Sequence, residues 1–202
     1  MGELLQIIVE LPDDRRSVGR LTLKDGAGKT LAGPFDVLGK SDNLTAVAHG
    51  NAGRDPKQPY GDTPKGQYEV PAAVATGAGT AYNPDSYGPN GGLVLLPVNG
   101  EALHAQRNGR TGLMIHGGKA GAGGRLRPTH GCLRLSDSNM SALMSAIRAR
   151  ATAGTRPICE AVRLNIAVGG EAAPDTGEDA GDPPPGIDAI IGPQPPPIVW
   201  HP

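Results

Sequence analysis

Two short segments carry residues that could do chemistry together. Met114-Ile115-His116-Gly117-Gly118 ends an apolar run on an imidazole, and after Gly117 to Pro128 comes Thr129-His130-Gly131-Cys132-Leu133-Arg134-Leu135. A cysteine is a useful nucleophile as its thiolate, so it needs an imidazole or a helix N-terminus nearby to lower its pKa. Both are on offer: His116 stands at a strand end, and Cys132 lies just before a helix start at Ser136. The flanking glycines let the backbone approach a substrate closely and leave N–H groups to point at an oxyanion. Taken singly, a cysteine is most often a small buried apolar residue and a histidine a structural one. Together they carry more weight, as a cysteine nucleophile with an imidazole to activate it.

In this arrangement His116, a spacer and Thr129-His130-Gly131-Cys132, followed by an apolar residue and Arg134, resemble the signature of the L,D-transpeptidase catalytic domain, the YkuD domain. Gly61-Asp62-Thr63-Pro64-Lys65-Gly66-Gln67-Tyr68 resembles the turn that enters the family's central strand. Ala153-Gly154-Thr155-Arg156-Pro157-Ile158 resembles its closing strand. The likeness runs from Gln58 to Glu160 in the family's order. It implies Cys132 as nucleophile and His116 as the base, with its ring oriented through the Gly117 carbonyl. His130 and Thr129 would shape the pocket, the amides of Gly131 and Cys132 would form an oxyanion hole, and Arg134 would hold a loop or a substrate carboxylate. The implied substrate is the peptide stem of peptidoglycan. Cys132 attacks the amide after the L-centre of diaminopimelate in a tetrapeptide stem and expels D-Ala, and a second stem, water or a D-amino acid resolves the thioester. The spacer is shorter than the family's usual one, so acceptor choice is the property expected to differ. Tyr82 and Tyr87 fall where the family often has an aromatic lid residue. A catalytically idle peptidoglycan-binding or assembly module is the alternative reading.

Other chemistries fit less well. Gly26-Ala27-Gly28-Lys29-Thr30 has Leu23 where a phosphate loop needs its first glycine, so it reads as a hairpin turn. Gly118 to Gly124 lacks dinucleotide spacing and reads as a flexible flap. The histidines and cysteines show no Cys-x-x-Cys or His-x-x-x-His spacing, so neither a metal nor a cofactor is expected. Cys159, in an apolar run, reads as core.

The elements that must position this pair are mostly short strands, predicted at Leu4 to Val9, Arg20 to Leu23, Pro34 to Leu38, Leu44 to Ala48, Gln67 to Val74, Leu93 to Leu96, Leu113 to His116 and Pro157 to Val168. With 31 Gly and 20 Pro in 202 residues and 3% aromatics, a mostly-β sandwich or barrel-like mixed sheet is expected. An amphipathic helix follows the cysteine: after the N-cap Ser136, the residues Met140, Leu143, Met144 and Ile147 recur at helical spacing. A shorter helix is expected over Glu101 to Arg107. Residues 1–168 read as the catalytic domain, with 1–50 as extra strands.

Beyond Gly169 the composition changes to nine prolines and six acidic residues in 34 positions, with no Lys or Arg. The first 168 residues then carry 19 basic and 14 acidic side chains, a net of about +5 against −1 overall. That excess is too scattered for nucleic acid, and it would suit an anionic polymer weakly. The 169–202 tail is expected to be extended, with Trp200 as an anchor for a partner or for the chain's own groove. No apolar run is long enough for a membrane span, and no leader-like segment opens the chain. The expected site of action is the periplasm or cell envelope, reached through a secretion system as an antibacterial effector.

Overall fold

Alternation in the first strand shows how the sequence builds the core. In β1 (Leu5–Leu11) the residues Leu5, Ile7, Val9 and Leu11 are fully buried while their neighbours are half-exposed. Each buried aliphatic contributes roughly 1.5–3 kcal/mol of transfer free energy. The computed structural model describes residues 4–77, 80–151, 155, 157–163 and 170–175. β2 (Gly19–Asp25) and β3 (Thr30–Val37) follow as antiparallel neighbours, joined by a turn in which the Asp25 carboxylate accepts the amides of Ala27 and Lys29. The Gly-Lys-Thr segment is thus a hairpin end. β3 lies at the sheet edge, where Pro34 costs no ladder hydrogen bond.

The remaining strands are β4 (Gly66–Glu69), β5 (Ala73–Val74), β6 (Gly92–Val94), β7 (Leu96–Asn99), β8 (Met114–His116), β9 (Leu133–Arg134) and β10 (Ile158–Arg163). They form mixed sheets: six strands in the order β3-β2-β1-β10-β4-β7, and four in the order β5-β6-β8-β9. Helices are few: α1 (Asn43–Ala48), α2 (Pro84–Tyr87), α3 (Gly100–Arg107) and α4 (Asp137–Arg150). α4 begins at the N-cap Ser136, whose hydroxyl accepts the Asn139 amide, and buries Met140, Leu143, Met144 and Ile147. These four join residues of both sheets in one core, so α4 and the two sheets share a single apolar interior. None of the helices among the described residues is long and apolar enough to cross a membrane.

Three expected strands are corrected. Leu44 to Ala48 is helical, because the Asp42 carboxylate caps it by accepting the Thr45 amide; Leu44 and Val47 are exposed. Gln67 to Val74 divides into β4 and β5 across Pro71, which has no donor for a ladder, and the halves join different sheets. Leu93 to Leu96 likewise splits at Leu95 between β6 and β7. The glycine-rich flap contains a 3₁₀ turn (Ala122–Gly124) and is tied to α2 by the Lys119 amide, which donates to Asp85. The first tail residues lie against the body: Val18 and Ala172 exchange backbone bonds with Gly170 and Arg16, Ala173 donates to Leu126, and Lys40 pairs with Asp175 at 2.5 Å. Trp200 and the tail beyond Asp175 lie outside the described residues, as does Gly154 in the closing-strand motif.

Candidate active site

β8 and β9 run parallel, with Ile115 opposite Leu133 and His116 opposite Arg134. Ile115 and Leu133 enter the common core. By the two-residue period of a strand, His116 and Arg134 share the other face, and Cys132, two residues before Arg134, joins them. His116 and Cys132 line one cavity with Ser86, Tyr87, Thr129, His130 and Arg134. At about 20 Å³ it has room for little more than one water.

Burial dominates the electrostatics. The Cys132 thiol is pushed up to about 11, with the Met114 amide and the charges of Arg110 and Arg134 pulling back. Its Sγ lies 3.7 Å from the Gly112 carbonyl, the geometry of a weak S–H donor. His116 is pushed down to about 3 by burial and by Arg134, against the carbonyls of Gly117 and Ser86. Its Nδ1 lies 2.7 Å from the Gly117 oxygen, which only accepts, so Nδ1 carries the proton and Nε2 is the basic nitrogen. The resting pair is therefore a neutral thiol beside a neutral imidazole. Burial thus works against the expected ionised thiol, and β9 lies between Cys132 and α4 in the chain.

The two groups couple to stability with opposite signs. His116, lowered from 6.5, contributes stability that is present above pH 6.5 and lost as pH falls toward about 3. Cys132, raised from 9.0, contributes stability that is present below pH 9 and lost as pH climbs toward about 11. His116→Gln is expected to make the fall of Tm between pH 6.5 and 4 shallower, with part of it remaining because burial also lowers His130. Melting curves across that range check this, and an unchanged slope would contradict it.

The loop bearing the thiol is held from several sides. Thr129 Oγ1 accepts the Gly131 amide at 2.9 Å and donates to the Cys132 carbonyl at 3.0 Å. The Gly131 amide is thus engaged within the loop. Thr63, from the Thr-Pro-x-Gly turn, donates its hydroxyl to the Gly131 carbonyl at 2.8 Å. Gly131 sits at φ +101, and a Cβ there would collide with Arg110 and the Gly61 carbonyl. Arg134, almost fully buried, donates to the carbonyls of Ser86 (2.7 Å) and Lys119 (2.9 Å), so it holds α2 and the spacer. The His130 ring meets the edge of Tyr60, which stacks on His49 at 3.7 Å, and its Nε2 makes no hydrogen bond among the described residues. Tyr87 tilts over His116 at 4.8 Å and Tyr82 meets Tyr87 edge-on, and both tyrosines belong to one apolar cluster with Met114 and Cys132.

Two residues escaped the sequence reading. Arg110, 3% exposed, donates to the carbonyls of Pro56, Gln58 and Gly61 and braces the loop beneath Gly131. A lone arginine after Asn-Gly gives no sequence sign of burial. Asp137 accepts the Gly118 amide at 2.6 Å; beside the N-cap it reads only as a helix start.

The family model of the L,D-transpeptidase catalytic domain (YkuD) matches residues 14–162. The chain belongs to that family. No curated protein matches it. In this L,D-transpeptidase domain the match takes in the Thr63 turn, His116 and the Thr129–Arg134 loop. β1 precedes the match, yet it lies inside the main sheet, between β2 and β10. The 170–175 strap follows the match and packs on the spacer at Leu126. The family's activity is directed at peptidoglycan.

Proposed function

We propose that the protein is a peptidoglycan acyltransferase that works through a Cys132 thioester on tetrapeptide stems. The observation that supports this is that His116, at the end of β8, and Cys132, just before the paired strand β9, line one cavity, with His116 Nδ1 committed to the Gly117 carbonyl. Because the resting pair is neutral, proton transfer accompanies attack. Nε2 takes the thiol proton as sulfur bonds to the carbonyl carbon after the L-centre of diaminopimelate, and the Cys132 amide offers a donor to the oxyanion. Collapse breaks the amide bond, and His116 returns the proton to the departing D-Ala nitrogen. An amine of a second stem, a free D-amino acid or water then attacks the thioester, again with His116 as base. Transpeptidation, exchange and carboxypeptidation share the first half, and the partner that resolves the thioester decides among them.

Incubation of purified protein with tetrapeptide muropeptides tests this. The expected result is release of D-Ala together with cross-linked, exchanged or shortened stems. Binding without any change in products would replace the proposal with the idle-module reading. We place the site of action in the cell envelope, where the polymer is, and propose delivery as an antibacterial effector. Expression directed to the periplasm is then expected to be toxic and cytoplasmic expression tolerated; tolerance of both would assign a housekeeping role. For the 169–202 tail we propose a docking role through Trp200, and deleting residues 176–202 is expected to weaken partner capture or speed acylation.

A further inference from the structure

The peptide group between Gly117 and Gly118 is bonded at both ends. Its carbonyl accepts the His116 Nδ1–H at 2.7 Å, and its N–H donates to Asp137 Oδ1 at 2.6 Å. A carboxylate that accepts an amide proton polarises that amide and places more negative charge on its oxygen. We propose that Asp137 is a positioning residue for the base, fixing the orientation and proton affinity of His116 through this one peptide unit. The arrangement matches a carboxylate–imidazole pair with a peptide inserted between the partners. The inference rests on the acyl-transfer reading for its function, though not for its geometry.

The surroundings keep the relay open. A Cβ at Gly117 or at Gly88 would run into Asp137 Oδ1, and one at Gly118, φ +131, would meet the Ser86 carbonyl at 2.5 Å. Gly88 and Gly117 thus clear the path by which the carboxylate reaches the amide, while Gly118 leaves room for Arg134 and the Ser86 carbonyl. Asp137 is the first residue of α4, and its own carbonyl accepts the Asn90 side chain at 2.9 Å. The groups facing His116 from the other elements are Tyr87 on α2, His130 and Cys132 on the catalytic loop, and Arg134 on β9. Arg134 opposes a positive imidazole. When Nε2 accepts the thiol proton, the Gly117 oxygen, backed by Asp137, helps the Ser86 carbonyl to offset the charge.

Asp137→Asn keeps size and acceptor and removes the charge. The expected result is an upfield move of the His116 Nδ1 proton resonance and a roughly 10-fold fall in kcat with KM nearly unchanged. Ser136→Ala loosens the same helix end without touching the relay, and is expected to lower Tm while leaving the resonance and kcat at wild-type values. Should Asp137→Asn fail to fold, Asp137→Ser takes its place with the same expectation. An unmoved resonance, or an equal change in Ser136→Ala, would overturn the proposal. A moved resonance in a protein that does not turn over muropeptides would leave the relay standing and remove the acyl-transfer reading.

Discussion

Cys132→Ala is expected to abolish D-Ala release and thioester formation, lowering turnover by roughly four orders of magnitude or more, as loss of a nucleophile does. The sulfur is the atom that carries the acyl group in both half-reactions, and no second thiol can replace it: Cys159 is buried in β10, its ionisation strongly opposed by burial. Intact-mass spectrometry after carbapenem treatment is expected to place the adduct on Cys132, and an adduct on Cys159 would refute the assignment. The neutral resting pair gives the same site a distinct pH signature. Alkylation of Cys132 by iodoacetamide, which needs thiolate, is expected to rise about tenfold per pH unit from neutrality toward about 11. Acylation by substrate needs only a neutral His116 and should hold its rate well into acid, declining toward about pH 3. A preformed ion pair would instead give fast alkylation already at pH 6.

Gly131→Ala is the second large effect. A side chain at φ +101 is strained in itself, and its Cβ would press on the Gly61 carbonyl and the Arg110 guanidinium. The buried Arg110 would then lose its hydrogen bond to Gly61, and the Thr63 contact to the Gly131 carbonyl would shift with the loop. The expected cost is roughly 3–5 kcal/mol of stability, with acylation reduced even in the folded fraction. Denaturant titration paired with single-turnover acylation separates the two. A variant with wild-type stability and rate would show that the loop yields freely at this point.

The chemistry was more legible in the sequence than its electrostatics. His116 and Cys132 stood out by their flanking glycines, and the family resemblance of the motifs that hold them supplied their roles and Gly117 as the carbonyl that orients the ring. Charge state could not be read, because it depends on how deeply His116 and Cys132 are buried, and part of that apolar cluster, Tyr82 and Tyr87, comes from a distant segment. The same reason hides Arg110 and Asp137: each acts on backbone groups remote in sequence, and nothing local marks a charged side chain that will be turned inward. In β1 and β2 alternation suffices because one face is core. It misleads at Leu44 to Ala48, where the apolar run is exposed on a helix fixed by a single Asp42 oxygen. The exchange between sheets after Val70 also lacks a pattern of its own, as Pro71 announces a break and not a destination.

A buried sulfur in one apolar cluster with two tyrosines also bears on durability. Peroxides and disulfides are attacked by the thiolate, so a thiol that burial holds protonated reacts with them more slowly. Cys159 is shielded in the same way, on the other sheet. Burial that slows the first proton loss therefore also slows the reactions that would consume either sulfur between turnovers.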